Sequence, residues 1–162
     1  MGLNTVFSGL LIIILLVSLF IPVVVILDQE YSFIDILSRS TKQDQGLFSD
    51  VDVQLTGFED IELIFQVAVI LYIAAFIFAF IGLKFNTSLL IGGLSSLFSG
   101  LLFYYGLNEF KRRLLEEAGI FGLLASQILK IGYLHYVLIL GGVLGVFGYL
   151  LTRYVKGRGQ AY

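Results

Sequence analysis

The feature that most limits this chain is the stretch 6–27, VFSGLLIIILLVSLFIPVVVIL, which carries no charge. At about 1.5 Å per residue, a helix of that length covers the roughly 30 Å hydrocarbon core of a bilayer. A buried helix in a water-soluble domain has no need of such length. Three further stretches pass the same test: 63–83 (LIFQVAVILYIAAFIFAFIGL), 87–107 (TSLLIGGLSSLFSGLLFYYGL) and 131–152 (IGYLHYVLILGGVLGVFGYLLT). Composition agrees. Of 162 residues, 58% are hydrophobic and 14% charged, where water-soluble domains carry roughly half and about a quarter. The expected fold class is all-α: a polytopic membrane protein, a four-transmembrane-helix bundle forming a single membrane domain over 1–162, with a small, partly β loop between spans 1 and 2.

The first stretch does not read as a cleaved leader. No basic residue precedes it, its apolar run exceeds the usual stretch of about 7–15 residues, and no small-residue cleavage site follows Leu27. It is read as a retained span. The chain has no cysteine, which excludes disulfides and palmitoylation, and its net charge of −2 comes without the basic stripe that nucleic acid requires.

The loop 28–60 holds eight acids (Asp28, Glu30, Asp35, Asp44, Asp50, Asp52, Glu59, Asp60) against Arg39 and Lys42. Within it VDVQLT alternates Val51, Val53 and Leu55 with Asp52, Gln54 and Thr56, the period of a strand with one wet face. A lone strand is unstable, so Val51, Val53 and Leu55 are candidates for contact with a second strand. The link KFNTS (84–88) is short enough to make spans 2 and 3 an antiparallel hairpin. After span 3, the connector 108–130 reads as an amphipathic helix. Glu109 with Arg113, Arg112 with Glu116 and Arg113 with Glu117 are i, i+4 pairs that carry span 3 into water. The apolar remainder, AGIFGLLASQIL, is too short to cross and suits an interfacial or re-entrant helix.

Chemistry within a bilayer announces itself by ionisable groups in the spans, because such groups are costly there. These spans have almost none; the polar exceptions are Gln66, His135 and several serines. One histidine without cysteine leaves only carboxylates as possible metal ligands. The densest group, Glu59, Asp60 and Glu62, sits where acids complement a helix N-terminus. No GxSxG elbow and no phosphate-binding glycine loop occurs. The expectation is a protein without catalytic residues, metal or cofactor.

Small residues carry the more specific signal. Ser88, Gly92, Ser95 or Ser96, and Ser99 recur along span 3 at helical spacing, as do Gly141, Gly145, Gly148 and Thr152 along span 4. Close backbone contact across small residues, aided by hydroxyl hydrogen bonds, is a main source of helix association in lipid. Gly92, Ser96, Ser99, Gly141, Gly145 and Gly148 are therefore the helix-packing candidates. His135 lies between Tyr133 and Tyr136, and Tyr149 and Tyr154 lie toward the far end of the same span. Such aromatic belts place His135 near the interface, in reach of water or headgroups.

A short first tail, a sizeable first loop with a strand and three closely following spans resemble the tetraspan layout of claudin-like proteins. The first-loop signature of that family uses tryptophans and a cysteine pair; this chain has neither, and no residue role is carried over. Orientation is argued both ways. With the N-terminus inside, four bases (Lys84, Arg153, Lys156, Arg158) face the cytoplasm and six face outward, which favours the reverse; the long loop and the basic C-terminal tail favour both termini inside, the orientation adopted. The expected function is that of an assembly, accessory or structural subunit of a larger membrane complex, with the lipid bilayer and other membrane subunits, or copies of itself, as partners and no nucleic acid. The alternative is an oligomeric pore or small-solute carrier lined by the serine face of span 3.

Overall fold

The computed structural model describes residues 2–26, 29–32, 34 and 59–159. Among these the chain is mostly helical, with a small sheet. In order come α1 (Leu3–Ser18), β1 (Pro22–Ile26), β2 (Gln29–Ser32), α2 (Glu59–Gly82), α3 (Asn86–Ile128), β3 (Leu129–Ile131) and α4 (Leu134–Gly159). Three helical stretches, Asp60–Gly82, Asn86–Glu116 and Leu134–Lys156, are long and apolar enough to cross a membrane.

The first expected span is the main departure. Its helix stops at Ser18, and 16 residues rise about 24 Å, short of the roughly 30 Å core. The cause is Pro22, the chain's only proline. It lacks an N–H, its ring would clash with the carbonyl four residues back, and it drives Ile21 out of the helical region. The run Val23, Val24, Val25, Ile26 that follows is wholly β-branched, and such side chains sit better in a strand than in a helix. Absence of charge marked an apolar segment, not a helical one.

The three strands form one antiparallel sheet in the order β2–β1–β3. Val25 lies opposite Glu30 on one side and Lys130 on the other. The central strand is thus the apolar one, with backbone partners on both flanks, and the polar Gln29, Glu30 and Lys130 lie on the outer strands. The Gly132 amide extends the ladder by donating to the Val23 carbonyl at 2.9 Å. A Cβ at position 132 would land on the Pro22 carbonyl, so only glycine fits there. The strand expected over 51–56, with its contact candidates Val51, Val53 and Leu55, lies outside the described residues.

The helices pack as a ring: α1 against α4 and α2, α2 against α3, and α3 against α4. A three-residue link, 83–85, turns α2 back into α3. The charged turn extends α3 as expected, and the apolar remainder expected as an interfacial or re-entrant helix continues the same helix, whose 43 residues extend for about 64 Å. Its charged turn is held by Arg112 with Glu109 at 2.6 Å, Arg112 with Glu116 at 2.7 Å and Arg113 with Glu109 at 3.1 Å. Arg113 also reaches Asp60 of α2 at 3.8 Å.

Two ends follow from this topology. At the sheet end lie the last turn of α1, the strands, and the starts of α2 and α4. At the termini end lie the start of α1, the 83–85 turn and the end of α4. Leu11, Leu15, Ala68, Tyr72, Ala75, Ala79, Leu89 and Leu138 fill the core between them, with Val23 of β1 joining it. Beyond the end of α1, β1 takes over its path along α2, where Val24 packs on a small cluster of Ile61 and Phe110.

Candidate functional site

The polar and small side chains gather in the helix seams. On α3 the sequence LIGGLSSLFSG places small residues in adjacent pairs: Gly92 and Gly93, Ser95 and Ser96, Ser99 and Gly100. Neighbours on a helix point about 100° apart, so one pair can serve two flanking helices. Gly92 faces α2, where a Cβ would meet the Ala79 nitrogen at 3.1 Å and the Ala75 carbonyl at 3.2 Å. Ser99 donates to the Ala68 carbonyl, also on α2, at 2.8 Å. Gly93 and Gly100 face α4 instead, meeting Val146 N and the His135 carbonyl at 2.8 Å each, while Ser96 donates to the Leu138 carbonyl at 2.8 Å.

The single face expected along span 3 is thus split between two neighbours. Gly93, Gly100 and Gly142 were missed because only one member of each small pair fits a single i, i+4 stripe. The doubling itself was the available signal. On α4, Gly142 and Gly145 approach α3 so closely that a Cβ at position 145 would lie only 2.8 Å from the Gly93 Cα. Gly141 lies against Ile14 and Leu11, and Gly148 against the Phe7 ring, so these two admit α1. Thr152 turns inward on its own helix and donates to the Gly148 carbonyl at 2.7 Å.

A third polar contact joins α1 to α2. The Tyr72 hydroxyl donates to the Leu15 carbonyl at 2.6 Å, and the Ser18 hydroxyl lies 2.7 Å from that carbonyl and 3.2 Å from the Tyr72 oxygen. Below it, where α1 ends, Leu19, Tyr72, Ile73, Phe76 and Ile77 line an apolar notch of about 170 Å³. At the termini end Asn4 donates to the Gly82 carbonyl at 3.5 Å and Thr5 to the Leu83 carbonyl at 3.4 Å.

The other candidates are dispersed. Gln66 is exposed and donates to Glu62 at 3.2 Å, one turn back on α2. Asp60 is engaged with Arg113, and no group of three metal-capable side chains occurs among the described residues. His135 is the exception to its expected setting. Rather than reaching water, it is 3% exposed, and neither ring nitrogen has a hydrogen-bond partner among the described residues. It lies in the first turn of α4, turned toward α3, with the Tyr104 and Tyr136 rings beside it. Position along a helix sets depth; it does not set which way a side chain turns.

Compared with family models, characterised proteins and solved structures, the chain matches none.

Proposed function

We propose that this chain is an integral, multi-pass membrane protein that serves a larger membrane complex as a non-catalytic assembly, accessory or structural subunit. In this reading it crosses the bilayer four times, the short α1 being completed by β1. A strand rises about 3.3 Å per residue, so the five residues of β1 add about 16 Å to the path. Backbone exposed to lipid must be hydrogen-bonded, and β1, paired on both sides, meets that demand.

What carries the non-catalytic reading is the use made of polar groups between the helices. The hydroxyls of Ser96, Ser99 and Tyr72 each hold a carbonyl of a neighbouring helix. They act as joints between helices, and none of them is left to solvate a permeating ion. For a partner, α2 presents the broadest apolar face: Leu63, Val67, Ile70, Ile73, Ile77 and Phe80 are all exposed along it. Lipid or a second membrane subunit satisfies such a face equally well in terms of burial.

The test is purification in mild detergent with mass spectrometry of what remains attached, alongside reconstitution into liposomes. A subunit retains companions or self-associates, and its liposomes pass no solute. The variant Gly145→Leu, which forces a side chain onto the Gly93 backbone, is expected to change migration on a native gel and lower thermal stability. Unchanged migration together with unchanged stability overturns the packing role of that seam. Solute flux that Ser96→Val abolishes overturns the assembly reading in favour of a pore.

A further inference from the structure

Every other polar side chain singled out in the seams is satisfied: Ser18, Tyr72, Ser96, Ser99 and Thr152 all bond a backbone carbonyl. His135 is as buried as they are, yet neither ring nitrogen has a hydrogen-bond partner among the described residues. Buried polar groups are almost always paired, and one that is not calls for an explanation such as a bound water or ligand. Ser8 and Asn86 also carry an unpartnered buried atom, at the opposite end. A serine hydroxyl rotates freely and finds its own helix's carbonyl, as Thr152 does. An imidazole in the first turn of a helix has no earlier turn behind it; the Gly132 backbone lies beside it but makes no well-formed hydrogen bond to either ring nitrogen.

The backbone that carries His135 is held in place: α3 comes so close at Gly100 that a Cβ there would lie 2.8 Å from the His135 carbonyl. The ring itself is flanked by two aromatic side chains, Tyr104 at a centroid distance of 5.1 Å and Tyr136 at 3.9 Å, tilted by 34° and 41°. These tyrosines are themselves 46% and 60% exposed. Exposed side chains change rotamer on a picosecond to nanosecond scale, so this cover can swing aside while the backbone stays fixed.

We propose that His135, Tyr104 and Tyr136 form a binding niche for the head of a neutral, ring-bearing lipophile that presents a hydroxyl or carbonyl to the imidazole. A neutral imidazole has one N–H to donate and one bare nitrogen to accept. A ring carbonyl satisfies the first and a ring hydroxyl either. The two tyrosine faces flank the niche in the tilted arrangement that suits another flat ring. Among the described residues no charged side chain is in contact with the imidazole by ion pair or hydrogen bond, so the head that fits is uncharged rather than a phosphate. The tyrosine belt, with Tyr133 70% exposed beside it, lies where a membrane-dissolved amphiphile keeps its head. The inference rests on the membrane placement proposed above and is independent of the subunit role.

The test exploits the fact that His135 is the chain's only histidine. Protein labelled with ¹⁵N-histidine and placed in phosphatidylcholine nanodiscs shows a single imidazole. A short-chain benzoquinone, its reduced quinol and cholesterol are then titrated separately. The niche predicts that at least one probe shifts a ring-nitrogen resonance saturably and stays bound through gel filtration. It predicts further that His135→Phe and Tyr104→Leu each lower retention at least tenfold, while Tyr133→Phe does not. The probe that saturates identifies the source of the ring. The proposal is overturned if no probe moves the resonance, if His135→Phe with wild-type helicity retains the probe equally, or if the probe-free imidazole already shows a bound-water bridge at both nitrogens. A chain that fails to enter the discs overturns the membrane placement and the niche with it, and this is seen before any probe is added.

Discussion

The two ends of the molecule are built on different principles. The sheet end is joined through backbone: β1 pairs with both β2 and β3, and Gly132 extends the ladder. The termini end is joined by the short 83–85 turn and by the long side-chain bonds of Asn4 and Thr5. Charge divides in the same way. The acids whose placement is described, among them Glu30, Asp60, Glu62, Glu109 and Glu116, sit on elements at the sheet end. At the termini end stand Lys84, Arg153, Lys156 and Arg158 with no acid among them. A backbone joint tolerates no change in its geometry; a side-chain joint adapts. One end should therefore be brittle and the other forgiving.

The sharpest way to break this contrast is Gly132→Ala. The new methyl meets the Pro22 carbonyl, which cannot move without unpairing β1 from β3. A loss of about 3 kcal/mol or more is expected, at the upper end of overpacking costs, read as a lowered unfolding midpoint in detergent. The counterpart at the other end is Gly82→Ala. Its methyl first meets the Ser8 hydroxyl, which rotates away, and then the Leu89 backbone at 3.2 Å. Added helix propensity offsets part of that strain, so the change should stay within about 1 kcal/mol. If Gly82→Ala proves as damaging as Gly132→Ala, the contrast is lost. Asn4→Ala should be smaller still, since its bond to Gly82 is 3.5 Å long; hydrogen bonds between helices in membranes average about 0.6 kcal/mol even when well made. Charge gives the last test, one that changes no stability at all. The chain lacks cysteine, so a single Lys156→Cys or Tyr133→Cys is a unique label site. With both termini inside, the orientation expected above, an impermeant maleimide should reach position 133 in intact cells and position 156 only after permeabilisation. The opposite pattern would reverse the orientation.

How far the sequence foretold this arrangement depends on which physical demand each residue reports. The stretches 63–83, 87–107 and 131–152 are helical apart from 83, in the turn, and 131–133, ahead of α4, since crossing hydrocarbon requires uncharged length and little else. The first stretch met the same demand and yet leaves the helix at Ser18 and ends in a five-residue strand. What decided it was the local conformational restriction of Pro22 and the β-branched run behind it, which a charge count does not see. The seam residues were found in kind but not in direction. Gly92 and Ser99 turn to α2, and Ser96 turns to α4, because α3 has neighbours on two sides. His135 was placed at the correct end of its helix, but its burial follows from how α4 is rotated against α3, which tyrosine positions do not report.

The pairing of β1 with β3 also sets an order of events. Ile26 pairs with Leu129, so roughly 100 residues must be synthesised before the inner strand acquires its second neighbour. At about 5–20 residues per second, that is several seconds during which one flank of an apolar strand is unpaired. The hairpin with β2 forms at once from adjacent sequence. It covers one flank early, while the other waits for the end of α3 to bring β3. Completion of the sheet can therefore precede α4, and a chain truncated before residue 129 would be left with an open edge that a quality-control machinery can recognise.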